Sequence, residues 1–229
     1  MDASAGGDER FRGYRFPAVI IAEVIWLRFR FTLSLRDIPA LLAARGVEVS
    51  HETVREWCDK FGAAYAHQIR RRRPRPGDKW HLDELVVSIK GARRYLWRAV
   101  DQRGMTLGVL VTTRRDAHAA RRFLRKLLAA EQYVPRVLVT DKLRSYGTAK
   151  RHVLASVEHR RSRYLTNRAE NSHLRTRLRE RAMRRFSSPR QAGRFCHAHD
   201  PIYEHFRPRQ HQLTAADHRA TALAPARPS

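Results

Sequence analysis

Negative charge is what this sequence lacks. Asp and Glu number 22 against 47 Lys and Arg, a formal net charge of +25, and the sequence pI is about 11.5. A compact fold with that excess repels itself until an anionic partner neutralises it, and nucleic acid is the commonest polyanion. The bland alternative, an arginine-rich protein from a GC-rich genome, sits poorly with arginines that cluster. Cysteine is nearly absent: Cys58 and Cys196 stand alone, so no disulfide framework is indicated and reducing cytoplasm is the expected setting. No apolar run approaches the ~18 residues of a membrane span. The opening MDASAGGDERFRG has no basic segment followed by an apolar one, so it does not read as a secretory signal. What is present is 42% hydrophobic residues over 229 positions, enough for one large domain or a medium domain plus a small one.

Residues 1–10 read as a disordered N-terminus. From Pro17 to Phe61 the pattern is helical, with Val19, Ile20, Val24, Leu27 and Phe31 at three- and four-residue steps. SLRDIPALLAARG follows, closed by Gly46; Pro39 is tolerable if Asp37 caps a helix that starts at Ile38. Ser50 caps a third helix with Val54, Trp57 and Phe61 inward. Residues 11–69 therefore predict a small all-α helix-turn-helix domain, and 70–79, basic and broken by Pro and Gly, a linker. WHLDELVVSIK, RRYLWRAVD and MTLGVLVTT then read as hairpin-linked strands. Residues 116–131 form an amphipathic helix capped by Asp116, and Val137–Val139 a fully apolar strand that should be central. An arginine-rich helix starts near Asn167, and a last helix runs from about Pro189 to Phe206. This predicts an α/β domain with a mixed sheet over 80–207, and a disordered tail over 208–229.

In the helix-turn-helix motif the last helix enters the major groove by its N-terminal residues. His51, Glu52, Arg55 and Glu56 lie on the polar side there, and His51 and Arg55 are the candidate DNA contacts. A three-helix interaction module is the alternative.

Three acids need a reason. Asp83 alternates with Leu85, Val87 and Ile89 on one face of the first strand, while Glu84 shares the other with Leu82 and Val86. A lone buried carboxylate is costly unless it holds a metal or pairs with a cation. Asp141 stands at the carboxyl end of the apolar strand, where open α/β sheets place ligands, although a helix N-cap would also use an Asp. If these strands are neighbours, about 4.8 Å apart, Asp83 and Asp141 can share one cation. Glu170 precedes an expected apolar stripe of Leu174, Leu178 and Ala182, and Arg177 lies two turns beyond it, nearly in line. Residues 160–185 contain ten arginines and two glutamates. Such a set suits phosphoryl transfer with two Mg²⁺, since carboxylates are hard ligands and arginines grip phosphates bidentately. No Ser or Cys nucleophile is needed.

The segments HLDELVV, RYLWRAVDQRG, VTDKLRSYG, NRAENSH and RERAMRRFSSPRQAGRF, in this order, resemble the bacterial insertion-sequence transposases of the DDE class, in particular the small cointegrate-forming group. SLRDIPALLAARGVEVSHETVREWC resembles that group's N-terminal helix-turn-helix. The likeness covers about Phe11 to Phe206. It implies a ribonuclease-H-like core in which the first and fourth strands adjoin. It implies Asp83, Asp141 and Glu170 as the catalytic, metal-binding triad, with Mg²⁺ as cofactor and Mn²⁺ as its substitute. Arg177 matches the basic residue after the family's glutamate. The implied reaction nicks the element's 3′ ends and joins each 3′-hydroxyl to target DNA. Lys142, Arg144, Arg175, Arg177, Arg181 and Arg184 are the expected DNA contacts beside the site. The expected partner is double-stranded DNA, both terminal inverted repeats and target, bound by a homodimer or larger assembly in the bacterial nucleoid and at no membrane. A non-catalytic repressor or architectural factor, a hydrolysing nuclease of the same fold, and a decayed copy are the competing readings. Two departures stand out: the step from Asp141 to Glu170 is 29 residues, shorter than the common arrangement, and Pro39 replaces a helix-friendly residue.

CHAHD, Cys196 to Asp200, lacks a second Cys/His pair at finger spacing and reads as a polar helix end. Trp57, Trp80 and Trp97 read as core, and His81 and His173 as neighbours of the acids.

Overall fold

The computed structural model describes residues 11, 13–141, 143–161, 167–183 and 185–206, with 167–172 described by backbone alone. The expected disordered ends, 1–10 and 208–229, therefore lie outside the described residues, as do Lys142 and Arg184.

Three helices lead: α1 (Ala18–Arg30), α2 (Asp37–Ala43) and α3 (His51–Arg72). Their ends follow local chemistry. Ser34 Oγ accepts from the backbone N–H groups of Arg36 and Asp37, while the Asp37 carboxylate accepts from Ser34 N–H at 2.7 Å. This reciprocal cap starts α2 one residue before the expected position and puts Pro39 in the first turn, where a missing N–H costs no helical bond. Gly46 closes α2 at φ +74°, and the N–H of Val47 returns to Leu42 O. Ser50 caps α3 by accepting from Thr53 N–H.

The buried face of α1 is Ile21, Val24, Ile25, Arg28 and Phe29. The expected face is rotated from this, because Val19 and Phe31 are 67% and 41% exposed. With apolar residues around most of the helix, periodicity does not fix the phase; packing against α3 and the last helix does.

Strands β1 (Lys79–Ile89), β2 (Ala92–Asp101) and β3 (Thr106–Thr112) are followed by α4 (Ala117–Glu131), β4 (Val137–Thr140), α5 (Arg144–Val153) and β5 (Glu158–Arg161). Helices α6 (Asn167–Ala182) and α7 (Pro189–His205) close the chain. The sheet order is β3-β2-β1-β4-β5, antiparallel for β1 with β2 and β2 with β3, parallel for β1 with β4 and β4 with β5. This mixed sheet flanked by helices is the expected ribonuclease-H-like arrangement. The β1–β2 turn is two residues, Lys90 and Gly91, both at positive φ, as a right-twisted hairpin requires. Asp101 organises the next turn: it is fully buried, and its Oδ1 accepts from Arg103 and Met105 N–H. All four β4 residues are buried. Its outer neighbour β5 reads Glu-His-Arg-Arg; this edge strand has no apolar alternation to announce it, and charged side chains suit an edge.

One face of the sheet packs Trp80, Leu82 and Trp97 against Phe123, Leu124 and Leu127 of α4 and Tyr146 of α5. On the other, Leu85, Val87, Ile89, Leu96 and Val109 meet Phe186, Ala192 and Cys196. The opposite side of α7 supplies Ala198 and Ile202 to the core of α1, α2 and α3. Helix α7 thus joins the N-terminal helices to the sheet. The expected linker 70–79 is tied along its length: Arg70, still within α3, donates to His197 O, and Arg73 donates to Thr106 O and pairs with the buried Glu131.

Helix α6 corrects an expectation. Leu174 and Leu178 are 59% and 49% exposed, whereas His173, Thr176 and Arg179 are buried. The groove that receives α6 is lined by polar partners, so the polar side turns inward. Arg179 donates to the carbonyls of Arg28, Phe31 and Leu33 at the end of α1, where carbonyls lack helical partners and a cation is favoured.

Candidate active site

The parallel pairing of β1 with β4 sets Leu82 opposite Thr140, so Asp83, within β1, stands beside Asp141, the first residue past the end of β4. Donor oxygens of Asp83, Glu84 and Asp141 all lie within 4.8 Å of one another. The structure therefore brings Asp83 and Asp141 together as expected and adds Glu84. Glu170 is in α6, and its side chain lies outside the described residues.

Each described acid is held differently. Asp83 Oδ2 is 3.2 Å from Nε2 of His173, a buried imidazole from α6. Burial lowers the His173 pKa, Asp83 opposes that shift, and Arg98 nearby adds to it. Asp141 Oδ1 accepts from Leu143 N–H at 2.9 Å, and its Oδ2 lies 3.2 Å from Nη2 of Arg115. Asp141 thus also shapes the turn into α5, although it is not the N-cap that the sequence left open: Leu143 holds that position with no side-chain cap bond. Glu84 points to the other face of β1. One of its oxygens pairs with Arg115, and the other accepts from the buried Tyr146 hydroxyl at 2.7 Å. Burial raises the Glu84 pKa, while the Tyr146 hydroxyl and Arg115 pull it down. The tyrosine is pushed well above its ordinary range, by burial first and by Glu84 next.

Behind Asp83, its register partner Arg98 is fully enclosed. It lies 3.0 Å from Asp200 on α7 and donates to Thr176 Oγ1 on α6 at 2.6 Å. Burial works against the charged guanidinium, but the Asp200 carboxylate outweighs it and the Arg98 pKa rises. Burial likewise works against the Asp200 carboxylate, and Arg98 with His199 brings its pKa below the ordinary value. CHAHD is therefore not the expected polar helix end: it lies in the middle of α7, mostly buried, and its Asp200 holds Arg98. Sequence reasoning missed Arg98, Arg115 and Tyr146. Their only signal was the mirror image of the acid puzzle, an arginine inside an apolar strand and one immediately before a helix cap.

The expected DNA contacts separate into groups. His51 and Arg55 are exposed on α3, both beside Glu52. Arg144 is exposed at the start of α5, three residues after Asp141. Arg177 and Arg181 are exposed on α6, and Arg175 stacks over Tyr203 at 4.7 Å. His81 is buried, while His173 contacts Asp83 as described.

Residues 77–209 match the family model of a DDE domain. The chain is 32% identical over 176 residues to the transposase for insertion sequence-like element IS431mec of Staphylococcus aureus, a match covering 74% of this chain and 78% of the relative. It is 31% identical, with the same coverage, to the transposase for insertion sequence element IS257 in transposon Tn4003 of that species. A chain of the simian T-cell lymphotropic virus intasome in complex with PP2A regulatory subunit B56 gamma is similar at 14% identity and a TM-score of 0.43, covering 83% of this chain and 72% of that one. The family and the acid cluster define a metal-dependent polynucleotidyl transferase. The chain belongs to the DDE transposases of bacterial insertion sequences. The all-oxygen carboxylate donor set fits the divalent cation that a DDE domain uses. Among the described residues no helix is long and apolar enough to cross a membrane.

Proposed function

We propose that the chain nicks the 3′ ends of an insertion sequence and joins them to target DNA, with Asp83, Asp141 and Glu170 holding two Mg²⁺, or Mn²⁺ in their place. The observation that carries this reading is the convergence of Asp83 and Asp141 from adjacent parallel strands, with donor oxygens within 4.8 Å. Glu170 precedes His173 by three residues on α6, a spacing that shares a helix face, and His173 touches Asp83. When bound, the cations would activate the attacking hydroxyl and stabilise the leaving oxygen.

The protein's own groups bind and orient. His173 and the Leu143 N–H fix one oxygen each of Asp83 and Asp141, and the second oxygen of Asp141 faces Arg115. Arg144, Arg177 and Arg181, exposed near the acids or along α6, supply phosphate contacts with Arg175, Lys142 and Arg184. Residues 11–69 act as the end-recognition unit, with His51 and Arg55 at the groove. Joining two ends needs two sites, so the working form is a dimer or larger assembly on terminal repeats and target, in the nucleoid.

The test is substitution of Asp83 or Asp141 by Asn and Glu170 by Gln, in the full-length protein with a labelled element end. Strand transfer in Mg²⁺ should vanish while end binding persists. Retained joining in any one variant refutes that residue's role. End binding unaffected by Mg²⁺, with no cleavage by the wild-type protein, would establish a binding-only factor.

A further inference from the structure

Arg115 lies in the short connection between β3 and α4, just before Asp116, whose side chain caps α4 by accepting from Ala119 N–H. That cap fixes the backbone from which Arg115 reaches the acid cluster. Its guanidinium spans two carboxylates in unlike settings. The Glu84 side chain is 1% exposed and has its second oxygen taken by Tyr146. The Asp141 side chain is 25% exposed, and its contact with Arg115 is the longer one, 3.2 Å. Glu84 thus has both oxygens engaged and serves as an anchor rather than an open ligand.

Carboxylates this close repel one another unless a positive charge stands among them. Without metal, the charge among the described residues that touches both Glu84 and Asp141 is Arg115. A divalent cation on Asp141 would meet that guanidinium as a like charge at short range. What Arg115 contributes to the metal-free protein at Asp141 must therefore be given up on metal binding.

We propose that Arg115 is the resident counter-ion of the acid cluster: anchored on Glu84, it holds Asp141 in the metal-free enzyme, then releases Asp141 and keeps Glu84 when the cation arrives. Arg115 is a positioning residue, and its role rests on the reading of Asp83 and Asp141 as metal ligands.

The test uses the full-length protein without DNA and Mn²⁺ as probe, with affinity read by paramagnetic resonance and stability by thermal unfolding. Arg115→Gln should bind Mn²⁺ more tightly, on the order of fivefold. Without metal the variant should melt several degrees below wild type, and saturating Mn²⁺ should narrow that gap by the share due to Asp141 while the share due to Glu84 persists. Equal or weaker Mn²⁺ binding by Arg115→Gln overturns the proposal, as does a melting deficit that Mn²⁺ leaves unchanged. If the metal-free variant is unfolded, Mn²⁺ must restore a cooperative transition, and a chain that stays unfolded in saturating Mn²⁺ refutes the idea equally. Asp83→Asn and Asp141→Asn separate the two levels. If they bind Mn²⁺ as wild type does, the metal-site reading itself fails; if they lose Mn²⁺ while Arg115→Gln behaves as wild type, only the counter-ion role falls.

Discussion

Replacing Arg98 with Met should cost about 4 kcal/mol of stability. The guanidinium and its partner Asp200 are 2% and 3% exposed, 3.0 Å apart. Met keeps much of the stem's volume and removes the charge, so the loss comes from what is left behind. Asp200 would remain enclosed near Glu204, another acid, with the His199 imidazole beside it but without its guanidinium partner. Breaking a buried pair from one side costs about 3–5 kcal/mol, and the bond to Thr176 adds about 1 kcal/mol. Against a total stability of about 5–15 kcal/mol this is easily measured by urea unfolding followed by tryptophan fluorescence, because Trp80 and Trp97 are fully buried. The midpoint should fall with little change in slope. Asp200→Leu alone should be comparably harmful, since it strands the arginine. The double variant, with neither charge buried, should recover most of the loss, so that its cost falls far below the sum of the two single costs. A single-variant cost below about 1 kcal/mol, or two losses that simply add, refutes the assignment of this pair as the fastener between β2, α6 and α7.

Glu204 gives a pH test. Burial raises its pKa to about 7 from an ordinary 4.5, despite bonds from Thr106, with Asp200 adding to the rise. A carboxyl raised in the fold favours the native state fully below about 4.5, and that advantage is lost as pH climbs to about 7. The gap is worth at most about 3 kcal/mol. Glu204→Gln should therefore gain on wild type between pH 5 and pH 7.5, measured as a midpoint difference; a constant difference across that range counts against it. Gly62→Ala should destabilise by about 1–3 kcal/mol, because an added Cβ would sit 2.9 Å from the Phe29 ring; an unchanged midpoint would show that the ring moves aside. DNA affinity should fall steeply with salt, and Arg177→Ala or Arg181→Ala should shallow that slope without changing the melting temperature, which a salt titration by fluorescence anisotropy will show.

The order of elements was legible because local chemistry marks them. Ser50, Asp116 and Gly46 punctuate helices as side chain and backbone demand, and an apolar strand ending in Asp141 announces a site at its carboxyl edge. That the first and fourth strands adjoin followed from the family likeness, and the β1–β4 pairing bears it out. What failed has one cause: amphipathicity reports a face only where the partner is apolar. Helix α1, apolar on most sides, gave the wrong phase. Helix α6, with Leu174 and Leu178, pointed the wrong way because its groove offers carbonyls, Arg98 and Asp83 instead of a hydrophobic floor. Arg115 was invisible for a related reason, since its two partners lie 31 and 26 residues away and nothing local requires them.

The charge excess that first pointed to DNA divides into two populations with opposite consequences. Arg28, Arg98 and Arg179 are buried, and Arg73 and Arg115 are committed to acids. Arg98 joins α6 and α7 to the sheet, Arg179 joins α6 to α1, Arg73 ties the end of α3 to β3 and α4, and Arg115 holds Glu84 and Asp141, so each is engaged inside the protein. Burial depresses the Arg179 pKa to about 9, with Arg28 nearby adding to the effect, which shows how costly such a fastener is. It persists because one guanidinium reaches the carbonyls of Arg28, Phe31 and Leu33 together, the last shared with Arg28 Nη1 at 2.8 Å. That bond ties the helix carrying Glu170 to the end of α1. Arg179→Met should therefore lower the melting temperature and weaken strand transfer more than end binding, whereas Arg177→Ala should weaken end binding more than strand transfer and leave the melting temperature unchanged. Parallel losses in both variants would mean that the two populations are one.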